Sequence, residues 1–161
     1  MKIGVISDTH GYCHPRAFTV FEGVDLILHA GDIGDETVIT DLEALAPVTA
    51  VVGNMDGPPL TERYPALAEV SLEGHLVLLT HHAGPPERLP ASIEALVDDR
   101  RPAAIVFGHT HLPLARHRGE VLFLNPGYAG RFRFGWKRSV ATLHVTEHGL
   151  EATIHSLEDA P

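Results

Sequence analysis

Residues 2–11 read KIGVISDTHG, a nearly continuous apolar run that ends in Asp8 and His10. A short run rich in Val and Ile is typical of a strand buried on both faces, as in a parallel sheet covered by helices. Side chains that follow such a strand lie at its carboxyl end, where open α/β sheets place their binding sites. This stretch therefore predicts a buried first strand with a functional site directly after it.

The same alternation continues along the first two thirds of the chain. Further buried strands are predicted at residues 25–30, 48–52, 76–80 and 103–107. Helical spacing of apolar residues predicts helices at residues 15–22, 35–46 and 90–101, the second of them capped by Asp35. Turn signals at residues 118–120 and 148–149 predict antiparallel hairpins near the end of the chain. This order indicates a mixed α/β domain of two packed sheets with helices outside.

Composition narrows the classes of function. The chain has 161 residues, of which 44% are hydrophobic and 20% charged, so we expect one domain over residues 1–161 that buries its own core. A net charge of −9 disfavours nucleic acid as a partner. Without a long apolar span or a leader segment we expect no membrane role, and the lone Cys13 fits a reducing cytoplasm.

Potential metal ligands follow each of the predicted strands in the first two thirds of the chain. They are Asp8, His10, Asp32, Asn54, Asp56, His81, His82, His109 and His111. Taken singly, each cluster is also explained by a polar turn. Five such clusters at five strand ends have no shared structural explanation, however, and they converge on one crevice. Their conjunction predicts a metal site.

The types of ligand narrow the choice of metal. Imidazole, carboxylate and one amide oxygen, without thiolate, suit Mn, Fe, Ni, Zn or Mg. Even seven of these nine side chains are too many for one tetrahedral ion and suit two ions that share a carboxylate. Paired ions of this kind act mainly on phosphoryl groups and on some amides.

The motifs themselves resemble a known family. The succession DTH, GD, GN-x-D, H and GHTH resembles the calcineurin-like metallophosphoesterase superfamily, and NPG at residues 125–127 resembles its compact YfcE-type phosphodiesterase subgroup. The resemblance implies a four-layer α/β/β/α sandwich with two divalent metal ions, manganese first and nickel, iron, zinc or magnesium as alternatives. The implied ligands of one ion are Asp8, His10, Asp32 and His111. Those of the other are Asp32, Asn54, His81 and His109, with Asp32 bridging.

The implied activity is hydrolysis of a small phosphate ester, most simply a diester, by a hydroxide that bridges the two ions. Two alternatives stay open. One is a non-catalytic interaction scaffold, because the resemblance extends to a retromer subunit with this fold. The other is a nuclease, which the acidic composition disfavours. Whether the chain forms a homo-oligomer is open.

Further site residues are expected around the metal ligands. Asp56 is expected to orient a histidine ligand, and His82 is a candidate proton donor. Many members of the superfamily have histidine at the third position of GN-x-D, where this chain has Met55, which cannot donate a proton. In residues 131–138, RFRFGWKR, alternation predicts a strand with its aromatic residues in the core and a solvated basic face. Arg131 and Arg133 are candidate substrate contacts, and a basic-aromatic patch for nucleic acid is the alternative function of this segment.

Overall fold

The computed structural model describes residues 1–158 and arranges them around two five-stranded sheets. The strands are β1 (Lys2–Ile6), β2 (Leu26–His29), β3 (Val48–Ala50), β4 (Leu67–Leu72), β5 (His75–Thr80), β6 (Ala104–Val106), β7 (Leu114–Arg118), β8 (Val121–Asn125), β9 (Ser139–Thr146) and β10 (Gly149–Ser156). The helices are α1 (Pro15–Val20), α2 (Glu36–Glu43), α3 (Leu60–Arg63) and α4 (Ala91–Arg100). The strand orders are β10-β9-β1-β2-β3 and β4-β5-β6-β8-β7.

Each sheet has a parallel centre and antiparallel flanks. β1, β2 and β3 are parallel to one another, with Ile3 opposite Leu26, and β9 and β10 add antiparallel strands beside β1. In the second sheet β5, β6 and β8 are parallel, while β4 and β7 form the antiparallel edges. The loops that follow the parallel strands of each sheet therefore gather at one end of it.

Three apolar clusters define the layers. The first lies between the sheets and joins Val5 and Leu28 of one to Val77 and Val106 of the other. The second covers the outer face of the first sheet with α1, α2 and α3, and the third covers the outer face of the second sheet with α4. Helices, sheet, sheet and helix form the expected four-layer α/β/β/α sandwich.

Most of the expected elements are present, with small changes at their ends. All five buried strands are confirmed, and Asp35 caps α2 by accepting a hydrogen bond from the Thr37 N–H at 2.8 Å. The sequence reading missed β4, whose partly polar residues form an edge strand in a hairpin with β5, and the short α3. None of the helices in residues 1–158 combines the length and hydrophobicity that crossing a bilayer requires.

The strand expected over residues 131–138 is wrong. The segment is a loop that turns at Gly135, where φ is +80°, and the Trp136 N–H donates to the Arg133 carbonyl at 3.0 Å. Its aromatic side chains are outside the core: Phe132 is 67% and Phe134 95% exposed. The turn breaks the alternation, so the aromatic and basic residues project from the same loop.

Candidate metal centre

All seven candidate metal ligands lie in loops that follow parallel strands. Asp8 and His10 come after β1, Asp32 after β2, and Asn54 after β3 in the first sheet. His81 comes after β5, and His109 and His111 come after β6 in the second. The loops of the two sheets meet directly, because the His109 N–H donates to Oδ2 of Asp8 at 3.1 Å. One site is thus built from both sheets.

Five of these seven residues have a left-handed backbone, which non-glycine residues rarely adopt. Their φ angles are +56° at Asp8, +47° at His10, +52° at Asp32, +69° at His109 and +60° at His111. Such conformations cost roughly 1–3 kcal/mol each and persist only where the surroundings impose them. Hydrogen bonds between loops do so here, among them Asp8 N to Gly31 O and His10 N to Asp32 O, both 3.0 Å.

The two carboxylate oxygens of Asp8 have different surroundings. Oδ2 accepts hydrogen bonds from the Ser7 hydroxyl at 2.6 Å and from the His109 N–H. Oδ1 is buried, lies 3.0 Å from Nε2 of His111, and has no hydrogen-bond partner within residues 1–158. Close packing enforces this arrangement, since a Cβ on Gly108 would lie 2.6 Å from Oδ2. The buried, unpartnered oxygen is therefore free to bind a cation.

Asp32 has a similar division of roles. Its Oδ1 accepts the Met55 N–H at 2.8 Å, while Oδ2 lies 3.9 Å from Nε2 of His10 and 3.4 Å from Nε2 of His81. Burial alone would raise the pKa of Asp32, but the hydrogen bonds from His81 and Met55 outweigh it and hold the pKa below its usual range. The carboxylate is therefore anionic between two imidazoles.

His81 is oriented by the buried backbone. Its Nδ1–H donates to the Ala30 carbonyl at 2.8 Å, which turns Nε2 towards the site. Burial alone would lower the pKa of His81, but its hydrogen bonds with Asp32 and Ala30 outweigh burial and raise the pKa. Nε2 lies 3.1 Å from Oδ1 of Asn54, which is also 3.0 Å from Nδ1 of His109. Two ring nitrogens and one amide oxygen therefore face one another, and all three are atoms of the types that bind divalent cations.

Two other imidazoles of the cluster, unlike His81, are kept in the neutral form that binds metals. Burial lowers the pKa of His10, and its Nε2, like Oδ1 of Asp8, is buried without a hydrogen-bond partner in the described residues. Burial also lowers the pKa of His109, with a further lowering by the neighbouring His81 and His82.

The donor atoms are close enough to hold metal ions. Among residues 1–158, two groups have ligand atoms within 4.8 Å of one another: Asp8, His10 and His111 form one, and Asp8, Asp32 and His81 form the other. The unpartnered atoms, the neutral histidines and this spacing all fit a centre of divalent cations. The individual ligand roles stay a prediction.

The remaining predicted residues lie around this cluster. Asp56 contacts backbone instead of a histidine: its carboxylate accepts the N–H groups of Gly53 at 2.8 Å, Ile33 at 3.1 Å and Gly34 at 2.8 Å. It therefore ties the Asp32 loop to the Asn54 loop.

His82 is exposed, with its ring 4.7 Å from that of His109, and lines an open cleft of about 530 Å³.

The two candidate arginines pack against aromatic rings. The Arg131 guanidinium lies 4.9 Å from the ring centroid of Tyr12. That of Arg133 lies 5.8 Å from the centroid of Tyr128 and 5.0 Å from that of Trp136. The ring of Tyr128 is 5.1 Å from that of His111, so Tyr128 contacts both Arg133 and the ligand cluster.

Sequence reasoning missed three residues that hold the site. One is Ser7, which anchors Asp8. Another is Asn125, whose Nδ2 donates to the Gly108 carbonyl at 2.8 Å and to the Thr110 hydroxyl at 3.0 Å. The third is His29, which is fully buried and accepts the Gly31 N–H at 3.2 Å while its Nε2 lies 2.9 Å from the Thr9 hydroxyl. In the sequence, the one sign of a role for His29 is that a polar residue ends the apolar run LILH.

Comparisons with known proteins found a matching family, similar sequences and similar folds. Residues 1–148 match the Calcineurin-like phosphoesterase superfamily domain. The chain is 37% identical over 132 residues to a probable metallophosphoesterase of Methanothermobacter thermautotrophicus, covering 79% of this chain and 76% of that protein. It is 40% identical over 152 residues to the phosphodiesterase YfcE of Escherichia coli, covering 79% and 78%. Vps29 of Entamoeba histolytica shares the fold, with a TM-score of 0.75, 17% identity and coverage of 97% and 99%.

Proposed function

The chain belongs to the calcineurin-like phosphoesterase superfamily, and from that premise we propose that it is a phosphodiesterase that uses two divalent cations to hydrolyse a small phosphate ester. One observation carries the proposal: Oδ2 of Asp32 lies between Nε2 of His10 and Nε2 of His81. A carboxylate oxygen flanked by two imidazoles supports two ions that share one ligand. The YfcE match supports the diester as substrate.

The resemblance to the superfamily implies the ligands. Asp8, His10, Asp32 and His111 would hold one ion, and Asp32, Asn54, His81 and His109 the other. Carboxylate, amide and imidazole donors suit manganese, with nickel, iron, zinc or magnesium as alternatives. When bound, such a pair makes water acidic enough to attack phosphorus near neutral pH and neutralises charge on the phosphoryl oxygens.

The protein's own residues prepare the site for that chemistry. Ser7 and the His109 N–H hold one oxygen of Asp8, so that only the other faces the site. Asp56 and Asn125 hold the loops that carry Asp32, Asn54 and His109. Because the donors are placed before the substrate arrives, little reorganisation is needed in the transition state.

Two other functions remain candidates. An interaction scaffold is favoured by the fold shared with Vps29, but every candidate ligand is present here, which a scaffold does not need. A nuclease would need a surface for a polymeric substrate, and the charge of −9 opposes one. The single cysteine supports a reducing cytoplasm as the compartment.

The test is metal analysis of the purified protein together with turnover of bis(p-nitrophenyl) phosphate before and after chelation. We expect two ions per chain, turnover that chelation abolishes, and recovery when Mn²⁺ is restored. Metal binding without turnover of mono- or diesters would favour the scaffold. Salt-dependent binding of single-stranded DNA would favour the nuclease.

A further inference from the structure

Exposed apolar side chains are concentrated around the candidate metal centre. Seven large hydrophobic side chains are exposed within residues 1–158, and only Met1 and Leu45 are outside the loops of the site or residues 131–137. The other five are Met55, Leu112, Phe132, Phe134 and Trp136. Single exposed apolar residues need no explanation, but a group beside a polar site is typical of a binding surface.

Residues 131–137, which we call the aromatic loop, are in contact with the ligand cluster. The ring of Trp136 is 4.5 Å from that of His111 and 5.0 Å from that of Tyr128. Trp136 nevertheless stays 38% exposed, and Phe134, two residues earlier, is 95% exposed. An apolar surface therefore begins at the edge of the site and extends outwards.

The aromatic loop is also basic. It contains Arg131, Arg133 and Lys137, in a chain whose net charge is −9. The Arg133 guanidinium lies 5.0 Å from the ring centroid of Trp136 and 5.8 Å from that of Tyr128, so a positive charge lies beside the two rings that contact His111. Aromatic rings interleaved with arginines suit a flat aromatic group that is attached to a phosphate.

We propose that the aromatic loop binds an aromatic group of the substrate while the phosphoryl group lies at the metal centre. The inference rests on the proposed function and adds the substrate class: an aromatic phosphate ester, either a nucleotide or a simple aryl ester. Phe134 and Trp136 provide the stacking surface, and Arg133 neutralises the adjacent charge. The acidic remainder of the chain disfavours a longer polyanion.

The chain contains a built-in reporter, since Trp136 is its only tryptophan. The experiment titrates the Mn²⁺-loaded protein with two matched pairs of phosphates and follows Trp136 fluorescence. AMP and ribose 5-phosphate differ by the base, and phenyl phosphate and methyl phosphate differ by the ring. We expect at least one of the two aromatic phosphates, AMP or phenyl phosphate, to change the emission of Trp136. It should bind at least about 10-fold more tightly than the non-aromatic phosphate of its pair, because one stacking contact contributes about that much affinity. The pair with the larger ratio of affinities shows whether the substrate is a nucleotide or a simple aryl ester.

Variants locate the contact. Phe134→Ala removes an exposed ring without disturbing the core, and we expect it to reduce the aromatic preference several-fold in the same titration. Trp136→Ala removes the reporter, so its preference is measured by inhibition of bis(p-nitrophenyl) phosphate turnover and should fall about 10-fold at unchanged metal content. Leu45→Ala is the matched control, because Leu45 is also 38% exposed but lies beyond the far end of α2.

Three results would overturn the inference. Equal affinities within both pairs would show that no ring is bound, and an unchanged preference in both variants would place the ring elsewhere. Emission that changes with protein concentration alone would assign the aromatic loop to contacts between two copies of the chain. None of these outcomes tests diester hydrolysis, which metal-dependent turnover decides separately.

Discussion

The backbone N–H of Met55 donates to Oδ1 of Asp32 at 2.8 Å, while the Met55 side chain is 68% exposed. The GNMD loop therefore holds the candidate bridging carboxylate through its backbone, and the side chain at position 55 takes no part in that contact. The side chain at position 55 can therefore change without loss of that contact, and we expect its chemistry to bear on the leaving group.

We expect turnover to depend steeply on the leaving group. Without a proton donor at position 55, an alkoxide leaves slowly, whereas general acid catalysis typically contributes ~10²- to 10⁴-fold. The logarithm of kcat should fall steeply across a series of diesters of rising leaving-group pKa, and Met55→His should flatten that slope. A shallow slope in the unmodified protein would contradict this prediction.

His82 is tested with the same series. Its exposed ring lies 4.7 Å from that of His109, near enough to the cleft to donate a proton. If His82 is the acid, the slope is shallow in the unmodified protein and becomes steep in His82→Ala. A shallow slope in both proteins would assign leaving-group stabilisation to the metal ions or to water.

Asp32→Asn should reduce activity more than Asn54→Ala. Asp32 faces His10 and His81, while Asn54 faces only His81 and His109. We expect Asn54→Ala to lower turnover by about 10- to 100-fold and Asp32→Asn to lower it further, with loss of bound metal. Metal content and kcat are measured on the same samples. Two bound ions and normal turnover in Asp32→Asn would refute the shared ligand.

Arg133→Ala should weaken catalysis more than Arg131→Ala, because Arg133 contacts Tyr128 and Trp136 while Arg131 packs on Tyr12. A lost charge-assisted contact with the substrate corresponds to about 1.5–3 kcal/mol, or roughly 10- to 100-fold in kcat/KM. Metal content should stay at two ions. Normal kinetics in both variants would show that neither arginine contacts the substrate.

Asp56→Asn should loosen the site without removing a ligand. An amide offers one acceptor oxygen where the carboxylate now accepts three backbone N–H groups. We expect a loss of about 1.5–3 kcal/mol in the free energy of unfolding, measured with urea, and a weaker affinity for Mn²⁺. Asp35→Asn, which changes the capping carboxylate of α2 at the end of the Asp32 loop, is the matched control and should keep the affinity. A stability loss with unchanged affinity would show that Asp56 does not position the ligands.

His29 should make stability depend on pH. Burial lowers the pKa of His29 to about 4 from an ordinary value of 6.5. Above pH 6.5 the ring is neutral in both states and its hydrogen bonds contribute fully. Between pH 6.5 and 4 the unfolded chain takes up a proton that the folded chain refuses, which destabilises the fold by up to about 3 kcal/mol.

The check is urea unfolding of the unmodified chain and of His29→Gln at several pH values, in the presence of a chelator. The advantage of the unmodified chain should be largest above pH 6.5 and should narrow towards pH 4. A constant difference would mean that His29 is not buried as a neutral ring.

The order of buried strands and polar loops was predictable from local sequence. A buried apolar run such as residues 2–6 can form the hydrogen bonds of its backbone N–H and C=O groups as a central strand of a sheet. Residues that follow it, such as Asp8, then lie at the carboxyl end of that strand. The donor types were equally readable, because metal preference depends on the chemistry of the ligand atoms.

The tertiary structure determined the orientation of those metal-ligand atoms. The left-handed backbone at Asp8 and His10 is unfavourable in an isolated peptide. It is imposed by loops more than twenty residues away, through the Gly31 carbonyl that accepts the Asp8 N–H and the Asp32 carbonyl that accepts the His10 N–H. The structure likewise turned residues 131–137 from an expected strand into a loop beside His111. Contacts between distant segments determine both features, because the free energy that stabilises them comes from packing and hydrogen bonds that no short stretch of sequence contains.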